Sequence, residues 1–109
     1  MARTDNLQGA LEILVLKILN RRGPLHGYGI ATHIETLSAE VLRVEEGSLY
    51  PALARMEESG VIKAEFGTSD SGRRVRFYEI TAQGRKRLDT EEQRWTAIAS
   101  AVTQVLKLA

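Results

Sequence analysis

The sequence predicts a mainly α fold with one small β-hairpin, on three observations. Apolar residues recur at helical spacing in three runs before residue 60. The period then falls from about 3.6 to about 2 across residues 61–80, on either side of a Gly/Ser/Asp-rich stretch. A helical repeat returns after residue 81 and runs to the C-terminus.

The first helix spans Leu7 to Asn20. Leu7, Leu11, Leu14 and Ile18 form one stripe, and Ile13 and Leu16 widen it, which predicts burial on more than one side. Arg21 and Arg22 suit the negative end of this helix, and Gly23-Pro24 stops it. The second helix opens at His26-Gly27, with His26 capping the turn, and fades around Ser38 to Glu40. Its apolar face is Tyr28, Ile30, Ala31, Ile34 and Leu37. Pro51 has no N–H and is expected in a first turn, so the third helix is predicted to start at Gly47-Ser48. Leu49, Leu53 and Met56 give its buried face, and Gly60 ends it.

Two strands follow. In residues 61–66, Ile62, Ala64 and Phe66 share a face; in residues 75–80, Arg76, Tyr78 and Ile80 do. Residues 67–74 are the loop between them. Thr81 is the expected N-cap of the last helix, and Gly84 is expected to weaken its first turn by roughly 1 kcal/mol relative to alanine. Leu88, Trp95, Ile98, Val102 and Val105 then trace a heptad-like seam.

The length of 109 residues allows one folding unit, and 43% apolar content suits a globular chain. The absence of cysteine excludes disulfides, thiolate metal sites and cysteine nucleophiles. Met1 to Asn6 is polar, and the apolar stretch after it is broken by Glu12, Lys17 and Arg21. Neither a secretory leader nor a membrane span is therefore expected, and the expected location is cytoplasmic.

Three helices followed by a hairpin is the order of a winged helix-turn-helix, with the third helix as reader and the hairpin as wing. The expected division is a winged helix-turn-helix over residues 1–81 and a C-terminal dimerisation helix over residues 82–109. The net charge of +1 hides strong segregation. Residues 73–87 carry Arg73, Arg74, Arg76, Arg85, Lys86 and Arg87 against Glu79 alone, whereas residues 35–60 hold six acids and two arginines. A basic wing of Arg73, Arg74 and Arg76 is placed where a wing meets phosphate. Ser48, Tyr50 and Pro51 open the reading helix, and Arg55 follows, with Glu58 or Glu35 as competing partners. Glu57 and Glu58 read as a solvated helix end. The alternative is a winged-helix protein-interaction module whose basic wing binds an acidic partner.

Several segments resemble the PadR family of prokaryotic transcriptional regulators. They are Leu7-Gln8-Gly9-Ala10-Leu11 in the first helix, His26-Gly27-Tyr28-Gly29-Ile30, Ser48-Leu49-Tyr50-Pro51-Ala52-Leu53, and Gly72 to Thr81 followed by Gln83-Gly84-Arg85. The similarity runs over roughly residues 7–88. The resemblance implies a homodimeric winged-helix repressor of the compact branch acting on double-stranded DNA, and a dimer with two reading helices suits a pseudo-palindromic operator. It places Tyr28, Ser48, Tyr50 and Pro51 at or near DNA, with Arg73, Arg74 and Arg76 on the wing. Met56 stands where the family usually has leucine, a volume-conserving change.

A helix over residues 82–109 is roughly 42 Å long, at about 1.5 Å per residue. One small domain cannot cover it, so a second copy is expected to bury the seam. Leu7 and Leu11 of the first helix and Leu88, Trp95, Ile98, Val102 and Val105 of the last are the expected interface. The resemblance also implies an aromatic effector between paired C-terminal helices, with Trp95 as the candidate contact; the plainer reading is that Trp95 anchors the interface. His26 and His33 have no metal-ligand spacing, and no serine sits in a nucleophile elbow. Neither an enzyme nor a cofactor is expected.

Overall fold

The computed structural model describes residues 10–109. Helix α1 (Leu11–Arg22) ends at Gly23, whose positive φ of 82° is a conformation that glycine adopts without steric cost, and whose N–H closes the helix on the Leu19 carbonyl. A short strand β1 (Leu25–His26) leads into α2 (Gly27–Leu37), and α3 (Glu46–Glu58) follows. The wing is β2 (Ile62–Thr68) and β3 (Arg74–Ile80), and α4 (Ala82–Leu108) closes the chain. The sheet is antiparallel in the order β1-β3-β2. This is the predicted mainly α architecture, with one strand that sequence periodicity missed. Leu25 and His26 pair with Tyr78 and Phe77, and two residues are too few to show a period.

The core is built where α1, α2, α3 and the base of the sheet meet. Val15, Leu16, Leu19, Ile30, Leu49, Leu53, Met56, Val61 and Ile62 are almost wholly excluded from solvent. Met56 fills its place there as the volume argument expects. Leu11 and Leu88 belong to the same cluster, each 4% exposed. Both were expected at a subunit interface; they lie instead in the domain's own core, because α4 begins by packing against α1 before leaving the domain. Leu7, expected in the same interface, lies outside the described residues.

The start of α3 falls at Glu46, so Pro51 stands inside the helix rather than in its first turn. Its missing N–H deprives the Gly47 carbonyl of an intrahelical donor, and Gly47 is exposed. The connection between α2 and α3 is held by Glu35, whose carboxylate accepts from the Val44 N–H at 2.9 Å. Within that turn Ala39 and Glu40 both have positive φ, 52° and 67°.

Strands β2 and β3 reach further than the sequence period indicates. The register from Ile62↔Ile80 to Thr68↔Arg74 leaves only residues 69–73 as the tip. Phe66, which shares a strand face with Ile62 and Ala64, is therefore carried past the core and is 57% exposed. At the other end, Thr81 caps α4 and ties its start to the turn after α3. Its Oγ1 accepts from the Gly84 N–H at 3.0 Å and donates to the Gly60 carbonyl at 2.7 Å. Gly84 itself is buried, because α4 crosses directly over the Val61 carbonyl and the Ile80 side chain.

Beyond Glu92, α4 continues for more than four turns at about 1.5 Å per residue, with its side chains exposed. A Lys17–Glu92 ion pair of 3.1 Å joins it to α1 one turn past Leu88. The molecule is 54 Å along its longest axis against 30 Å and 21 Å across.

Candidate nucleic-acid interface

The N-terminal ends of α2 and α3 and the tip of the wing face one another across a cleft of about 750 Å3. Of the residues expected at DNA, Tyr28, Tyr50, Arg73, Arg74 and Arg76 line this cleft. Ser48 is half-buried, Pro51 is exposed on α3, and Arg55 lies further along the same helix; none of the three lines it. Asp70 and Glu46 bring acidic groups to the cleft.

Tyr28 is the most open of the aromatic residues, at 75% exposure, in the first turn of α2. His26 sets that turn: its Nδ1 accepts from the Gly29 N–H at 3.0 Å, as expected of a capping residue. Its ring also meets Phe77 of the wing, with centroids 5.7 Å apart, so the same residue joins β3 to the start of α2. Tyr50 lies across the backbone of Gly27. A β-carbon at position 27 would come within 2.6 Å of its Oη, so glycine is what lets the ring settle there. Burial of the Tyr50 phenol, then the Glu46 carboxylate and Tyr78, push its pKa above the usual tyrosine value. The phenol stays neutral at physiological pH and can donate a hydrogen bond.

The basic residues of the interface fall into two groups. Among the described residues, no ion pair holds Arg73 or Arg74. The Arg74 guanidinium is stacked on Phe66, 4.4 Å from the ring centroid, which orients it while leaving its charge uncancelled. Arg76 and Arg55, by contrast, have carboxylate partners. Arg76 Nη2 donates to both oxygens of Glu57, at 2.9 and 2.8 Å. Arg55 approaches Glu12 at 3.6 Å rather than Glu58 or Glu35, and Arg87 approaches the other Glu12 oxygen at 3.9 Å. Glu12 thus bridges α1 to both α3 and α4.

Four residues that shape the interface were not singled out for it from sequence: Gly27, Glu57, Phe66 and Phe77. Phe66 was within reach, since it sits opposite Arg76 once the hairpin register is fixed. The Glu57–Arg76 contact had no such signal, because it joins a helix end to a strand nineteen residues away.

On α4, Trp95, Ile98, Val102 and Val105 are each about half exposed or more, and form the seam read from the sequence. Leu106 and Leu108 extend the apolar surface towards the C-terminus. No described helix is long and apolar enough to cross a membrane.

Comparison with known proteins agrees with this geometry. The model of the transcriptional regulator PadR-like family matches residues 15–90, which spans α1 through the buried start of α4. A PadR-like transcriptional regulator from Bacillus cereus superimposes with a TM-score of 0.81 at 28% identity, covering 96% of this chain and 99% of that one. A transcriptional regulator from Clostridium thermocellum gives the same TM-score and identity over 92% of this chain and 96% of its own. A PadR family transcription regulator from Clostridium difficile is 31% identical, with a TM-score of 0.73 over 88% of this chain and 97% of its own.

Proposed function

Because this chain belongs to the PadR-like family of transcriptional regulators, we propose that it is a homodimeric, sequence-specific DNA-binding repressor released by an effector. The observation that carries the DNA-binding reading is the convergence of Arg73 and Arg74, without a carboxylate partner among the described residues, with Tyr28 and Tyr50 on one cleft. Arg73 and Arg74 supply sequence-independent attraction to phosphate. The α3 N-terminus, with Ser48, Tyr50 and Pro51, supplies the face that enters the major groove. Arg55 follows on the same helix and reaches phosphate by exchanging Glu12 for it.

The dimer is proposed on the strength of α4. Its exposed apolar seam of Trp95, Ile98, Val102 and Val105 supports this reading, with a two-fold partner as the simplest cover. A two-fold axis also sets two α3 helices roughly 34 Å apart, about one turn of B-DNA, which suits a pseudo-palindromic operator. Trp95 lies nearest the domain in that seam and is the residue proposed to stack on an aromatic effector, whose binding would shift the two α4 arms.

The direct test is a mobility shift against selected duplexes at low and rising salt. Binding that weakens steeply with salt supports the reading, and no retarded complex at low salt sinks it. For the assembly, light scattering at micromolar protein should give twice the 12.1 kDa chain mass. Titrating aromatic compounds while following Trp95 fluorescence tests the effector, and no response from any of them removes it.

A further inference from the structure

We infer that Arg76 is a positioning residue of the DNA interface, latching the wing to the reading helix through Glu57 rather than meeting phosphate. This rests on the DNA-binding reading proposed above. The latch joins the middle of β3 to the last turn of α3: one guanidinium nitrogen serves both carboxylate oxygens, at 2.8 and 2.9 Å. On the strand side, the Arg76 guanidinium lies 5.6 Å from the Phe66 ring centre and 5.9 Å from that of Tyr78. The arginine is therefore fixed both by a carboxylate and by two aromatic faces.

The placement of Glu57 points the same way. An acid in the last turn of a helix faces the negative end of the dipole and is disfavoured there unless a cation answers it. Tyr78 is buried, whereas the hairpin beyond Arg76 runs into solvent to its tip at residues 69–73. Arg76 is thus the last side chain to tie β3 to α3 before the wing extends alone. Its charge is offset by Glu57, so to a phosphate the pair presents little, while Arg73 and Arg74 have no ion pair among the described residues. The wing divides its arginines between reach and alignment: Arg73 and Arg74 for phosphate, Arg76 to hold the wing at the angle from which they reach it.

The test compares Glu57→Gln, Arg76→Gln and the exchange Glu57→Arg with Arg76→Glu, measured by fluorescence anisotropy on a selected duplex over a salt series. As a latch, both single variants weaken binding by about two- to five-fold, the scale of a partly exposed ion pair, with the salt slope unchanged. The exchange recovers most of that loss. Arg74→Ala is the control, lowering the slope by about 0.9 for each phosphate left without its arginine. Tighter binding by Glu57→Gln overturns the proposal, since removing an acid beside DNA helps wherever Arg76 touches phosphate. So does an Arg76→Gln slope that falls like that of Arg74→Ala, or an exchange variant that binds worse than either single one. Hydrogen exchange of the wing amides from Phe66 to Val75, without DNA, gives an independent arm. Faster exchange in both single variants, restored in the exchanged pair, supports the latch, and unchanged exchange overturns it. A parent protein that binds no DNA would instead overturn the functional reading, and the exchange rates would still decide the latch.

Discussion

Replacing Gly84 by alanine should destabilise the fold, although helix propensity alone argues the reverse. In an unencumbered first turn the change would gain about 1 kcal/mol. In this structure a β-carbon on residue 84 meets the Val61 carbonyl oxygen, and falls 2.7 Å from Ile80 Cγ1 and 3.0 Å from the Val61 carbonyl carbon. Ile80 can rotate, but the Val61 carbonyl is backbone, and it also accepts the Thr81 N–H at 3.1 Å. The only relief is to lift α4 away, which strains the Thr81 cap on the Gly84 N–H. Overpacking costs about 1–3 kcal/mol, and a lost N-cap about 1 more. Set against the propensity gain, the net loss is about 1–3 kcal/mol, or a fall in Tm of roughly 4 °C or more per kcal/mol. Thermal and urea unfolding followed by circular dichroism, at one fixed protein concentration, measures it. A Gly84→Ala variant as stable as the parent, or more stable, would refute the claim that α4 is seated on the Val61 backbone.

Gly27→Ala should separate binding from stability. The added carbon meets the mobile end of Tyr50, 2.6 Å from Oη and 2.8 Å from Cε1, so the ring swings out and the core stays intact. Unfolding should shift by no more than about 1 kcal/mol while DNA affinity falls several-fold; unchanged affinity would remove Tyr50 from the interface. Replacing both Arg73 and Arg74 by alanine should weaken binding to all sequences alike and reduce the salt slope by about 0.9 for each phosphate no longer neutralised by either subunit. A loss confined to the preferred operator would assign these arginines to base reading instead. Ala39→Gly should stabilise by about 0.5–1 kcal/mol, because left-handed strain of about 1–2 kcal/mol at φ 52° exceeds the extra unfolded-state entropy of glycine. Urea midpoints test this, and a less stable variant refutes strain in the turn.

What the sequence disclosed depended on how far apart the interacting residues lie. Helix existence, the capping roles of His26 and Thr81, the Gly23 stop and the α4 seam are all written in neighbours within two turns, so periodicity and turn chemistry expose them. Gly84 read as a tolerated weakness because its true constraint, Val61, is twenty-three positions away. Leu88 continued the seam in sequence but is drawn into the core where α4 crosses α1. Phe66 kept strand alternation, and alternation fixes only the face; the hairpin length that carries it past the core is a property of the β2–β3 register. The arginines were visible as a basic cluster, but which of them keep their charge free depends on Glu57 and Glu12, placed beside them only by the fold.

The central claim is that two copies of this chain read DNA with paired α3 helices and wings. Selection of bound duplexes from a random pool, followed by sequencing, tests it most directly. The expected result is enrichment of an inverted repeat whose half-sites are centred about one helical turn, roughly 10 base pairs, apart or a multiple of that. A pool that shows no enrichment, or enriches a single half-site with no two-fold partner, would contradict it.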